Sequence, residues 1–279
     1  MPWPTWEQAF SACLISIAAW LVVRLLPHSR IGDALLPAFH ELALISGLYG
    51  VWRLARMLPV THEAGALGRA REINDFQQAL HLPSEISVQH LVVRHDWLAE
   101  LCNDYYAILH VPALLVFLVW AFVRHRDAYP HWRNGLVAVT AGCLVIRFIR
   151  VAPPRFLGEL HFVDLSQQYG LGVYGPVGSG VSDQFAAMPS IHVGWAAVVA
   201  LGTFAMTRSP WRWIVLLHLP VTVLVVAATG HHWWLDGVVA VLLLLGGLVL
   251  DGRLRRRTTA ASEDRQFGEY APTPWYTRT

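Results

Sequence analysis

Three short segments of the chain carry side chains of the kind that move protons or hold anions. The first is Gly230-His231-His232-Trp233-Trp234-Leu235-Asp236, where an apolar run begins. If a helix starts here, His232 and Asp236 are four residues apart, about 40° around the axis, and share a face. An aspartate so placed holds one ring N–H of His232 and leaves the other nitrogen as a nucleophile or base. His231 is about 140° from Asp236 on the same wheel and is the poorer partner. The bland alternative is a helix start with interfacial aromatics and a solvated histidine. Two adjacent histidines also suit zinc, but no Cys or Glu stands at ligand spacing, so no metal is expected.

The second segment, Ala187-Met188-Pro189-Ser190-Ile191-His192, directly precedes another apolar run. Pro189 suits a first helical turn, where its missing N–H costs nothing, and the free N–H groups and helix dipole there suit an anion. His192 would then sit one turn inside a phosphate-sized pocket; a purely structural histidine is the alternative. The third is Arg147-Phe148-Ile149-Arg150-Val151-Ala152-Pro153-Pro154-Arg155. Its prolines are expected to end a helix whose last turns carry Arg147 and Arg150. Guanidinium offers a planar fork of donors to phosphate oxygens. Snorkelling to lipid headgroups, or pairing with Glu159 or Asp164, is the competing reading. Arg155 is the sole arginine between 151 and 207, which favours it as a ligand. Arg53 and Arg56 either weaken the topology below or belong to the same anion site. The stretch from Gly170 to Gly180, rich in Gly and Tyr, reads as an external loop that would serve as a lid.

These groups must be positioned by helices in lipid. Of 279 residues, 55% are hydrophobic and 14% charged, too apolar for an ordinary soluble domain. All 21 basic residues are arginine, which excludes lysine-dependent nucleotide sites and Schiff-base chemistry. With 19 acidic residues the net charge is only +2, so nucleic acid is not an expected partner. Cys13, Cys102 and Cys143 are too far apart for a disulfide framework.

Seven stretches approach the roughly 20 apolar residues of a spanning helix: 9–26, 35–55, 105–123, 135–151, 189–207, 213–229 and 235–250. The first has Glu7 and no basic residue ahead of it and no Ala-x-Ala site after it, so it reads as a retained helix. Residues 60–104 are mixed in polarity and read as interfacial or external helices. The tail from Asp251 reads as disordered. Arginine clusters at 24–30, 124–133, 208–212 and 253–257 fall on one side if the helices alternate. That side is expected to be cytoplasmic, which puts the C-terminus inside and all three polar segments at the outer face. The fold expected is an all-α polytopic membrane helix bundle.

The order Arg near Pro, then Pro-Ser-x-His at a helix start, then His-x3-Asp resembles the type 2 phosphatidic acid phosphatase superfamily. The spellings Ala-Met-Pro-Ser-Ile-His and Gly-His-His-Trp-x-x-Asp look most like its inositol phosphorylceramide synthase branch and related actinobacterial-type phosphatases. The resemblance implies a six-helix core over 31–250, an extra N-terminal helix within 1–30 and a tail from 251. It implies that His232 becomes phosphohistidine, Asp236 orients it, and His192 protonates the departing alkoxide. Ser190 and Arg155 match phosphate ligands, and Arg147 and Arg150 stand near them. The broad pattern departs here at three places. Its first motif, Lys-x6-Arg-Pro, has neither that spacing nor a lysine; the glycine before the histidine of its second motif is Ile191; and the Ser-Arg of its third motif is Val225-Val226.

The implied activity is cofactor-free, metal-independent transfer of a phosphoryl group from a lipid phosphate or polyprenyl phosphate to water or a hydroxyl acceptor. A bacterial plasma membrane is the expected setting. Two other readings stand beside it: a small transporter relaying protons through His192, His232 and Asp236, and a catalytically inactive lipid-binding relative.

Overall fold

Lipid offers no partner to a backbone N–H or C=O, so long apolar runs satisfy themselves as helices. The computed structural model describes residues 4–27, 29–57, 65–169 and 185–269, and among these it is all-α, with nine helices and no strand. They are α1 (Trp6–Leu25), α2 (Arg30–Met57), α3 (Ala66–Ala79), α4 (Glu85–Val92), α5 (Asp96–Arg124), α6 (Tyr129–Ile146), α7 (Ile191–Met206), α8 (Arg212–Ala228) and α9 (Trp234–Glu269). The seven apolar stretches lie mainly on helices, 135–151 only as far as Ile146. Four helices are long and apolar enough to cross a membrane: α1, α2, α5 and the Trp234–Thr258 part of α9. Helices α7 and α8 are apolar but shorter.

Two boundaries differ from the sequence reading. The segment expected to stay outside the bundle up to residue 104 gives its last turns to α5, which starts at Asp96 and contains a π-helical turn at Tyr105–Leu109. The tail expected to be disordered from Asp251 is instead helical to Glu269. Adding a residue to an existing helix costs far less than nucleating one, and this stretch is rich in Arg, Ala, Glu and Gln, all good helix formers. Its first residue is also anchored: the Asp251 carboxylate pairs with His131 Nδ1 and Arg255 Nε and accepts from Asn134 Nδ2, each at 2.6 Å.

The core joins α5, α6, α7 and α9 through Phe117, Leu118, Trp132, Val139, Val198 and Leu244. Without a hydrophobic drive between helices in lipid, close approach at small residues supplies the attraction. A Cβ on Gly202 would lie 2.6 Å from Phe117, one on Gly194 2.8 Å from Val139, and one on Gly247 2.4 Å from the Ala138 Cβ. Val116, Val119, Leu242 and Val249 point away from the core and are exposed, as lipid-facing residues must be. Helices α1 and α2 pack mainly on each other, Phe10 lying against Gly50. The pair meets the bundle where Arg133 hydrogen-bonds Glu41 and where Trp52 packs on Trp195, ring centroids 5.7 Å apart.

Short connections make α5 and α6, α7 and α8, and α8 and α9 antiparallel, and main-chain bonds of Val151 to Phe185 and Ala187 and of Ser190 to Asp236 bring the longer α6–α7 connection to the same end. One end of the bundle therefore gathers the starts of α5, α7 and α9 with the ends of α2, α6 and α8.

Candidate active site

At that end the three polar segments are laced together by the main chain. Val151 pairs with Ala186 as an isolated bridge, with Val151 N donating to Phe185 O and Ala187 N to Val151 O. Arg155 N donates to Gly230 O, Ser190 N to Asp236 O, and the Trp233 indole to Ala152 O at 3.0 Å. Gly230 makes the turn into α9 with φ +65°; a Cβ there would meet Phe162 at 2.8 Å and Arg155 at 3.1 Å. That close approach brings Arg155 against the histidine turn.

The lacing decides the state of His232. Its Nδ1 lies 2.6 Å from Ala187 O and 3.3 Å from Asp236 Oδ2. A carbonyl oxygen can only accept, so Nδ1 carries the proton and Nε2 carries the lone pair. Nε2 is buried and has no hydrogen-bond partner among the described residues. Asp236 is fully buried, and the same oxygen that faces His232 accepts the Trp233 N–H at 2.8 Å. It thus closes the first turn of α9 while standing behind the imidazole. The stronger fixing bond is the one to Ala187.

His192 lies near the start of α7, its ring centroid 5.8 Å from that of His232. The helix begins two residues later than expected: Ser190 is the N-cap, its Oγ accepting from Val193 N, so Pro189 precedes the cap instead of sitting in the first turn. Ser190 is fully buried and keeps its hydroxyl proton for a further acceptor. His231 turns away from Asp236 and stacks on Tyr106 of α5 at 4.2 Å. Tyr106 also lies 4.4 Å from His192, and His110 meets His192 edge to face at 4.7 Å. Helix α5 is thus a wall of the site that the three motifs did not announce.

The arginines are less uniform. Helix α6 ends at Ile146 with Arg147 as its C-cap, well before the prolines, because residue 151 is drawn into the bridge with Ala186. Arg147 and Arg150 are both 6% exposed, so neither snorkels to a lipid surface. Arg147 lies over Phe148 and Arg150 over Phe185, in the segment that leads to Ala187. Arg155 lies over Phe156 with Nε 3.7 Å from Asp164 Oδ2, and it is the arginine fastened to the histidine turn. Glu159, its other expected partner, pairs with Arg71 at 2.7 Å. Val225 and Val226 are buried in the cluster that holds Tyr106 and Val193. A further cation lies on α2: Arg56 lies over Trp52, which packs on Trp195 one turn beyond His192. The Gly170–Gly180 stretch lies outside the described residues.

Helices α3 and α4 cap the turn that carries His231 and His232. Glu85 Oε1 accepts Trp234 N at 3.0 Å and Gln77 Nε2 at 2.7 Å, while Gln77 Oε1 accepts Leu235 N at 3.1 Å. Two of the free N–H groups at the start of α9 are thereby satisfied by side chains about 150 residues away in sequence. Burial pushes the Glu85 carboxyl above its ordinary range, more strongly than those two hydrogen bonds hold it down. A carboxyl raised on folding gives stability below its unfolded pKa and loses it as pH rises through the folded value. Glu85→Gln keeps the acceptor oxygen without the charge. Its melting temperature relative to wild type is expected to rise between about pH 4 and pH 8 in detergent melts; a constant offset across that range would contradict the assignment.

An all-α membrane bundle that brings two imidazoles, a carboxylate and arginine together at one end of its helices has the architecture of the membrane lipid-phosphate enzymes. A family model of the PAP2 superfamily matches residues 71–250, and the chain belongs to that superfamily. Members are phosphatases or phosphotransferases acting on phosphorylated lipids. The match runs from within α3 into α9, leaving α1 and α2 outside it. No curated protein and no solved structure matches the chain.

Proposed function

We propose that the protein is an integral-membrane phosphatase or phosphotransferase that acts on a lipid phosphate or polyprenyl phosphate through phosphohistidine at His232. The observation that carries this reading is the fixed tautomer: Ala187 O accepts the Nδ1–H hydrogen bond, which leaves the lone pair on Nε2 for substrate.

In the first step Nε2 of His232 forms a bond to phosphorus as the bond to the leaving oxygen breaks, and His192 gives that oxygen a proton. Asp236 and Ala187 O steady the imidazolium that develops. Arg155, assisted by Arg147, Arg150 and the Ser190 hydroxyl, holds the equatorial oxygens. In the second step His192 takes a proton from water or an alcohol, whose oxygen displaces His232 from phosphorus. All the groups needed are protein side chains and backbone. The arginine distribution favours a site on the outer face with the C-terminus in the cytoplasm, so the lipid tail stays in the bilayer while its headgroup reaches His232. The motif spellings favour the inositol phosphorylceramide synthase-like branch.

The test uses detergent-purified protein in EDTA with phosphatidic acid, a prenyl diphosphate and a phosphoinositol lipid as separate donors. Phosphate release or transfer from at least one is expected. No turnover of any donor would overturn the reading, and activity lost in EDTA but restored by a divalent metal would overturn the metal-free mechanism.

A further inference from the structure

The wall supplied by α5 holds polar groups that the two steps above do not use. Asn103 is fully buried, and neither its amide oxygen nor its amide nitrogen has a hydrogen-bond partner among the described residues. His110 is 4% exposed, and neither ring nitrogen makes a well-formed hydrogen bond among the described residues. Folded proteins match the large majority of such atoms, because an unmatched one loses its hydration without return; here four sit on two residues of one helix. Asn103, Tyr106 and His110 follow one another at roughly one-turn intervals on one side of α5. The π-helical turn at Tyr105–Leu109 falls between the outer two, a feature that recurs at functional sites. His110 meets His192 edge to face, and Tyr106 touches both His192 and His231. The His110 atoms therefore lie beside His192, and Asn103 stands one turn from Tyr106 on the same side of α5.

That location has a chemical meaning, which rests on the mechanism proposed above. In an in-line displacement the leaving oxygen of the first step and the attacking oxygen of the second occupy the same place, on the His192 side of phosphorus. Groups flanking His192 meet the alcohol part of donor or acceptor, and the arginines meet the phosphate. Asn103 offers a donor and an acceptor, and neutral His110 likewise. An anion would match the donors alone, and a hydrocarbon would match neither.

We infer that Asn103 and His110 form a subsite for a hydroxylated alcohol, which makes the protein a phosphotransferase to a polyol as well as to water. In the transfer step the acceptor O–H proton passes to His192, a new P–O bond forms, and the P–N bond to His232 breaks.

Partition of one phosphoenzyme among acceptors tests this. With a nitrophenyl phosphate as donor, glycerol and 1-propanol are supplied at equal concentration, and the two phosphate esters and free phosphate are quantified in each sample. Because the ratio is internal, changes in overall rate do not enter. Wild type is expected to phosphorylate glycerol at least about tenfold more than 1-propanol. Asn103→Leu and His110→Phe are each expected to cut that preference severalfold, and either variant suffices if the other fails to fold. Equal transfer to both alcohols by wild type, or an unchanged preference in a folded variant, would overturn the subsite. Absence of any phosphoenzyme would instead overturn the mechanism on which it rests.

Discussion

Replacing His232 by alanine is expected to lower turnover of a lipid phosphate by on the order of 10⁴- to 10⁶-fold, the range seen when a covalent nucleophile is removed from a preorganised site. Nothing nearby can replace it. His231, the adjacent imidazole, is held by its stack on Tyr106, and His192, 5.8 Å from His232 between ring centroids, is the proton donor in the proposed mechanism. The deletion also leaves Ala187 O without the donor it has at 2.6 Å. A folding control is therefore essential, and His232→Gln, which keeps an N–H for Ala187 O, provides one. Both variants should be inactive while His232→Gln melts closer to wild type. Turnover within tenfold of wild type in a folded variant would remove His232 from the nucleophile role.

His192→Ala carries the second largest expected effect, and its size should depend on the substrate. General acid help is typically worth about 10²- to 10⁴-fold, but only where the leaving oxygen needs a proton. With an alkyl or prenyl phosphate the full loss is expected. With a nitrophenyl phosphate, whose leaving group departs as a stable anion, formation of the phosphoenzyme should be nearly restored, and the remaining defect should fall on its breakdown, where His192 acts as base. Burst kinetics separate the two steps. An equal loss with both substrates in the first step would show that His192 positions the site instead of protonating the leaving group.

Much of the architecture was legible because lipid imposes it. Apolar runs of the right length become helices: the seven runs lie mainly on helices, 135–151 only as far as Ile146, and four of the helices are long and apolar enough to cross a membrane. The i, i+4 spacing of His232 and Asp236 put them on one face, and the structure places Nδ1 3.3 Å from the carboxylate. The shorter bond to Ala187 O was not legible, since it crosses 45 residues of chain and depends on the Val151–Ala186 bridge. The same bridge ended α6 earlier than Pro153 and Pro154 suggested. Gln77 and Glu85 were hidden in a segment read only as mixed in polarity, because capping across such a distance leaves no local pattern. Asn103, Tyr106 and His110 did leave one: polar residues at helical spacing beside an apolar run, obscured because the expected span began at residue 105 and cut the set in two. The helical tail to Glu269 was missed for the opposite reason, polarity being taken as disorder where a helix was already nucleated.

The account turns on a covalent bond between phosphorus and Nε2 of His232. Brief incubation of the purified protein with ³²P-labelled lipid phosphate, quenching in alkali and mapping of the labelled peptide by mass spectrometry tests it most directly. The account predicts an acid-labile, alkali-stable label on the peptide that contains His232, absent from His232→Gln and accumulating in His192→Ala when a nitrophenyl phosphate is the donor. Rapid turnover with no labelled intermediate, or a label carried by His192, would contradict it.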